Sequence, residues 1–170
     1  STLKHFPGHG ETPENSHLVV PVVDMAQAAW AEKDKIPFQD GVDAGADIVM
    51  FGQLTYSSVD SQPATLSPAW HQILGQMGFN GLTITDDMIM LQESGDPAYS
   101  DPVKNAVASL NAGSDLLLYV NDHGGGASNV DINALVSGIV AAVQSGQIPE
   151  SSIDQKLAKV LAYREKAGAF

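Results

Sequence analysis

Three of the five histidines in this 170-residue chain, His5, His9 and His17, fall within its first seventeen positions. An imidazole titrates near neutrality, so each can give and take a proton at moderate pH. Lys4 stands directly before His5, and a lysine ending a buried strand is costly unless an anionic or hydroxyl partner meets it. That favours a binding role. Further along, Asp86-Asp87 follows an apolar run. Such a pair can cap the segment after it, or present an ionised carboxylate of ordinary pKa. Met88 and Met90 come next and can either line a pocket or pack a core.

The elements that must position these groups follow a regular grammar. Residues 2–6, 47–51, 82–85 and 115–120 read as short buried parallel strands flanked by glycine or polar turns. Between them lie helices. Residues 38–44 end at Gly45, which permits a left-handed cap. Residues 67–77 have Ser67 as N-cap, Pro68 at the first helical position and Gly78 as the stop. Residues 101–112 repeat the pattern with Asp101, Pro102 and Gly113. Two more helices follow, 131–145 and one capped by Ser151 or Ser152. Asp47 and Asp115 read as strand starts, and His71 as a solvated or partly packed helical residue.

Strands roughly 35 to 45 residues apart, alternating with helices, are the rhythm of βα units with right-handed crossovers. Four units make an open doubly wound sheet or half of an eight-stranded barrel, and periodicity does not choose between them. Polar residues gather where a barrel would place its active site, at the strand ends: Lys4 to His17, Gly52-Gln53-Leu54-Thr55-Tyr56, Thr85-Asp86-Asp87-Met88, and Asn121-Asp122-His123.

Two other chemistries are weaker. A metal site among His5, His9 and His17 lacks the H-E-x-x-H geometry, because Pro7 and Gly8 keep His5 and His9 off a common helical face. His123-Gly124-Gly125-Gly126 looks like an esterase oxyanion loop, yet no G-x-S-x-G elbow accompanies it, so a flexible loop over the site is the simpler reading. Neither a metal nor a cofactor is expected.

Composition narrows the partners. Hydrophobic residues make up 44% and charged residues 16%, the make-up of a globular domain. With 20 acidic against 8 basic side chains the net charge is -12, which repels polyanions and excludes nucleic acid as a partner. No apolar run approaches the roughly 18 residues that span a bilayer, and no signal-peptide pattern occurs. The chain opens on Ser1 and enters core strand at once, so further structure upstream is expected. The absence of cysteine leaves the compartment open. The acidic, Ser/Asn/Gln-rich surface leans toward a bacterial envelope or secreted location, with the cytoplasm also open.

The run KHFPGHGETPENSHLVVP resembles the signature of bacterial glycoside hydrolase family 3 β-N-acetylglucosaminidases. AGADIVMFG, PATLSPAW, GFNGLTITDDMIM and AGSDLLLYVN match later strands of that family in order and spacing, and the last helix, through Ala162-Tyr163-Arg164-Glu165-Lys166, resembles its usual ending. The resemblance covers essentially the whole chain. It implies an α/β fold, the second half (four βα units) of a (βα)8 TIM barrel. Residues 1–170 would then be the C-terminal part of one catalytic domain whose N-terminal half is absent.

The implied activity is retaining hydrolysis of terminal β-linked N-acetylglucosamine from peptidoglycan- or chitin-derived saccharides. By the same resemblance Asp86 is the nucleophile, His17 on a mobile loop is the acid/base, and Lys4 and His5 bind sugar hydroxyls. His9 would contact sugar or shape the loop, and Met88 would line the pocket. The family places an aspartate two residues before the histidine, where this chain has Asn15. An amide oxygen can orient the ring but cannot stabilise the imidazolium by charge. Two alternatives stay open: an inactive carbohydrate-binding relative, and a family 3 glycoside phosphorylase. Four strands cannot close such a barrel, so the expected partner is an N-terminal half-barrel or a second copy of the chain.

Overall fold

The computed structural model describes residues 1–121 and 129–169, so the readings placed on Asp122 and His123-Gly124-Gly125-Gly126 lie outside the described residues. From β1 (Thr2–Phe6) a loop leads to β2 (Val22–Val23), then to α1 (Gln27–Glu32), α2 (Lys35–Asp43) and β3 (Ile48–Phe51). A short β4 (Thr55–Tyr56) pairs in parallel with β2, and a 3₁₀ turn at Ala64–Leu66 leads into α3 (Pro68–Gln76), β5 (Leu82–Asp87) and α4 (Ile89–Glu93). A second 3₁₀ turn at Pro97–Tyr99 precedes α5 (Pro102–Ala112), β6 (Leu116–Leu118), α6 (Ile132–Gln144) and α7 (Glu150–Lys166).

The main sheet runs β1-β3-β5-β6, with every neighbouring pair parallel. Spatial order equals chain order, so each crossover steps in the same direction. Right-handed crossovers that never reverse put their helices on one face, as in a barrel, whereas a doubly wound sheet reverses at a switch point. This winding makes the choice that periodicity left open.

The two faces of the sheet differ accordingly. On the helix side Phe6, Val49 and Phe51 are fully buried with Trp30, Phe38, Trp70 and Leu74. Phe6 meets four rings edge-on, at centroid distances of 5.1 Å to Phe38, 5.2 Å to Phe51, 5.6 Å to Trp70 and 6.1 Å to Trp30, the geometry that aromatic quadrupoles prefer. On the other side the register partners Met50, Ile84 and Leu116 are only half-buried, as interior-facing residues of an unclosed barrel are.

Side-chain caps start three of the seven α-helices among the described residues. Ser67 Oγ accepts the Trp70 N–H at 3.3 Å with Pro68 behind it, while Asp101 and Asp131 each accept two N–H groups of the first turn. At the end of α2, Gly45 adopts φ +81°, and the Gly45 and Ala46 amides bond back to Val42 and Gly41, closing the helix. Several boundaries differ from expectation. Helix α2 starts earlier, at Lys35, because Pro37 falls in its first turn, where the missing N–H has no partner to lose. Helix α7 is entered from Pro149 without a side-chain cap, so neither Ser151 nor Ser152 caps it; Glu150 in the first turn complements the dipole instead. Strand β5 runs two residues further than expected, to Asp87.

His71 on α3 stacks on Phe51, with centroids 3.9 Å apart and planes at 16°, and lies 3.5 Å from Ser114 Oγ. Burial pushes its imidazole pKa down to about 3, which keeps it neutral. It is a packed residue. Asp47 and Asp115 do precede strands: Lys159 bonds Asp115 at 2.6 Å, and Asp115 in turn accepts from the Thr83 amide at 2.8 Å. Among the described residues no helix is long and apolar enough to cross a membrane.

Candidate active site

Asp86 sits on β5 at the C-terminal edge of the sheet, its side chain 18% exposed. One carboxylate oxygen accepts the Asp87 N–H at 2.9 Å; the other lies 3.6 Å from His5 Nε2. Asp87 is used differently. Its Oδ1 accepts the Ile89 N–H and the Val120 N–H, each at 3.1 Å, so it starts α4 and ties down the end of β6. The capping role open to the acidic pair therefore falls to Asp87, and Asp86 is left facing the histidines.

The strand end under Asp86 is held by one member of the polar run that follows β3, to which the sequence assigns no individual role. Gln53, only 1% exposed, points its amide N–H groups at the carbonyls of Asp87 (3.3 Å) and Asp86 (3.5 Å) and at Met88 Sδ (3.7 Å). Its Oε1 is buried with no hydrogen-bond partner among the described residues. The available signal was a large polar residue directly after a buried strand, where burial without partners is costly. Met88 itself is fully buried between Leu66 and Leu91, and further chain could only bury it more. Met88 thus packs in a core cluster in this half-sheet, and Met90 is also buried, at 2% exposure.

His5 is half-buried at the end of β1. Burial holds its pKa below the usual imidazole value, Asp86 opposes that shift, and the nearby Lys4, His9 and His17 reinforce it. These four groups thus lie near enough to His5 to act on it, and the structure brings five predicted site residues into the neighbourhood of His5. Lys4 is exposed, contrary to the burial expected of it, because β1 is an edge strand of this sheet. Lys4, His5 and His9 line a cavity of about 300 Å³ with Leu3, Gly8, Pro37 and Phe38. A larger cleft, about 460 Å³, lies at the opposite end of the strands around Asp47, Gly81 and Lys159 and holds none of the predicted residues.

The loop carrying His17 has a fixed base. Trp30 Nε1 donates to Pro7 O at 2.9 Å, Tyr56 OH donates to Gly8 O at 3.0 Å, and Lys33 pairs with Glu11. Two non-trans peptide bonds, Lys4-His5 and Phe6-Pro7, precede this base. His9 Nε2 lies 2.8 Å from Ser16 Oγ. His17 is exposed. Asn15 Oδ1 accepts the main-chain N–H of His17 at 3.0 Å, while Asn15 O accepts from Leu18 and Val19. A short amide side chain reaches the backbone two residues on more readily than a ring beyond it, so Asn15 shapes a turn. Among the described residues no three His, Asp or Glu side chains are placed to hold a metal ion.

A single-direction parallel sheet with a carboxylate and histidines at its C-terminal edge is the layout of barrel hydrolases. Residues 1–163 match the family described as Glycosyl hydrolase family 3 N terminal domain. The chain belongs to glycoside hydrolase family 3. It is 38% identical over 123 residues to a beta-hexosaminidase of Stenotrophomonas maltophilia, covering 69% of this chain and 35% of that protein. With a beta-hexosaminidase of Psychromonas ingrahamii it shares 37% over 134 residues, 77% of this chain and 39% of that one. The structure of a glycoside hydrolase family 3 beta-N-acetylglucosaminidase from Paenibacillus sp. superposes with a TM-score of 0.84 at 31% identity, over 99% of this chain and 31% of the other. The family 3 chain thus spans about a third of the length of the relatives it matches, with an α/β fold of the TIM-barrel type.

Proposed function

We propose that this chain supplies the nucleophile and the acid/base of a retaining β-N-acetylglucosaminidase acting on peptidoglycan- or chitin-derived saccharides. The observation that carries the reading is the division of labour at the end of β5: Asp87 is consumed by two backbone N–H groups, while Asp86 faces His5 at 3.6 Å. In the first step the Asp86 carboxylate attacks the anomeric carbon. The glycosidic C–O bond breaks, and its electron pair goes to the leaving oxygen, which takes a proton from His17. In the second step His17 takes a proton from water, the water oxygen attacks the same carbon, and the ester to Asp86 breaks. Lys4 and His5 bind sugar hydroxyls in this scheme, and Asp87 and Gln53 fix the strand end.

The half-buried interior face and the two open sheet edges support a further part of the proposal: these four βα units are the later half of an eight-stranded barrel, completed by an N-terminal half or by self-association. The test is release of nitrophenol from a nitrophenyl β-N-acetylglucosaminide by this chain, alone and combined with an N-terminal half from a family 3 relative. The proposal expects release that depends on assembly and disappears in Asp86→Ala. Equal release by wild type and Asp86→Ala would reject it. Release only in the presence of inorganic phosphate, with a sugar phosphate as product, would reassign the chain as a phosphorylase.

A further inference from the structure

We propose that His9 and Ser16 form a latch that positions His17, so that His9 is a positioning residue. The inference rests on the reading of His17 as acid/base and deepens it. Beyond the fixed base of the loop, the hydrogen bonds at its tip are local. Glu14 N–H donates to Thr12 Oγ1 at 3.1 Å, His17 N–H to Asn15 Oδ1 at 3.0 Å, and Leu18 N–H to Asn15 O at 2.9 Å. Such turns give the tip its shape; beyond it the far arm returns to the sheet, where Val20 packs against Leu66, Met88 and Leu91 and Pro21 O accepts the Thr55 N–H at 2.8 Å.

The contact that joins tip to base is His9 to Ser16, 2.8 Å across seven residues. Ser16 is 7% exposed, although Asn15 before it and His17 after it are both exposed. The chain therefore tucks the serine inward and turns the neighbouring imidazole outward. His9 follows Gly8, whose carbonyl is gripped by Tyr56 OH at 3.0 Å and whose φ of +132° places it where side chains are rarely found. The latch is thus mounted on a rigid point, one residue from the group it aims. The hydroxyl can donate to the ring or accept from it, so the bond survives in either neutral tautomer.

Misplacing a catalytic group by about 1 Å lowers a rate by about 100-fold. Only the steps that use the misplaced group suffer. A nitrophenyl leaving group with two nitro substituents departs without protonation, whereas an alkyl alcohol does not. In the preparation that supports hydrolysis, kcat/KM is measured for both substrates in wild type, His9→Ala, Ser16→Ala, the double variant and His17→Ala. The ratio of the two values is insensitive to any unfolded fraction, since inactive protein lowers both alike.

The latch predicts that His9→Ala and Ser16→Ala each lower kcat/KM by about 10- to 100-fold for the alkyl glycoside and less than about 3-fold for the activated one. The double variant should fall no further than the weaker single. Equal losses on both substrates in His9→Ala would make His9 a sugar contact and overturn the latch. Wild-type values in Ser16→Ala would overturn it too. If His17→Ala itself loses equally on both substrates, the acid/base reading falls and the latch falls with it.

Discussion

Replacing Asp86 and Asp87 in turn by alanine should separate chemistry from scaffolding at two adjacent carboxylates. Asp87 accepts two backbone N–H groups at 3.1 Å, and hydrogen bonds to a charged acceptor contribute about 1.5–3 kcal/mol each. Val120 is exposed, so water can reach one freed donor, which puts Asp87→Ala at the lower end, about 2–4 kcal/mol of lost stability. A urea dependence of about 2 kcal/mol per M for a domain of this size turns that into a midpoint about 1–2 M lower. Trp30 and Trp70, both buried, report the transition by fluorescence. Asp86 accepts a single N–H, from its own neighbour, and sits at a partly exposed edge. Asp86→Ala should therefore shift stability by less than about 1 kcal/mol while lowering kcat by about 10⁴-fold or more. Folded Asp87→Ala should keep hydrolysis within about tenfold of wild type, since it removes no reacting atom. A stable, inactive Asp87→Ala beside an unstable Asp86→Ala would refute the reasoning outright.

Other perturbations follow from the same geometry. Asn15→Asp keeps an acceptor for the His17 main-chain N–H and adds a charge two residues before the imidazole, so kcat should rise by at least about tenfold with KM little changed; an unchanged kcat would show that the amide at this position does not limit proton transfer. His71 is held neutral with its pKa lowered to about 3 from an unfolded value near 6.5. The unfolded chain then binds the extra proton first, so stability is full above pH 6.5 and declines by several kcal/mol as pH falls toward 3. His71→Gln should flatten that slope in urea titrations at stepped pH, and an unaltered slope would assign it to other groups. Gln53→Leu removes three long hydrogen bonds, to the Asp86 and Asp87 carbonyls and Met88 Sδ, and one orphaned buried oxygen, effects that nearly cancel in stability, yet it frees the Asp86 carbonyl. Melting should stay near wild type while kcat falls about tenfold, and unchanged turnover would remove Gln53 from the positioning scheme.

The parts legible in the sequence were those decided locally. Ser67-Pro68 and Asp101-Pro102 carry their own capping chemistry, and Gly45 carries its own stop. The strands of the main sheet announce themselves as apolar runs. What stayed hidden depends on distant neighbours. Helices of five or six residues, α1 and α4, are too short to display a period, and β2 and β4, two residues each, exist only because they pair with one another. The exposure of Lys4 follows from an edge strand, which no run of residues reveals. Met88 adjoins the acidic pair in sequence, but it turns into the core because Leu66 and Leu91 close around it. The Asn15 side chain finds its partner in the backbone of His17, a turn contact that residue spacing alone does not reveal. In each case the residue type was visible and its partner was not.

The most direct test of the central claim is to trap the glycosyl-enzyme. A fluorinated N-acetylglucosaminyl donor that reacts quickly and hydrolyses slowly would be mixed with the assembled protein, which is then digested and mapped by mass spectrometry. The account predicts one added sugar on the peptide containing residues 82–87, with fragmentation placing it on Asp86 and none formed in Asp86→Ala. A label on Asp87 or on any other residue, or turnover of the donor with inversion and no adduct, would contradict it.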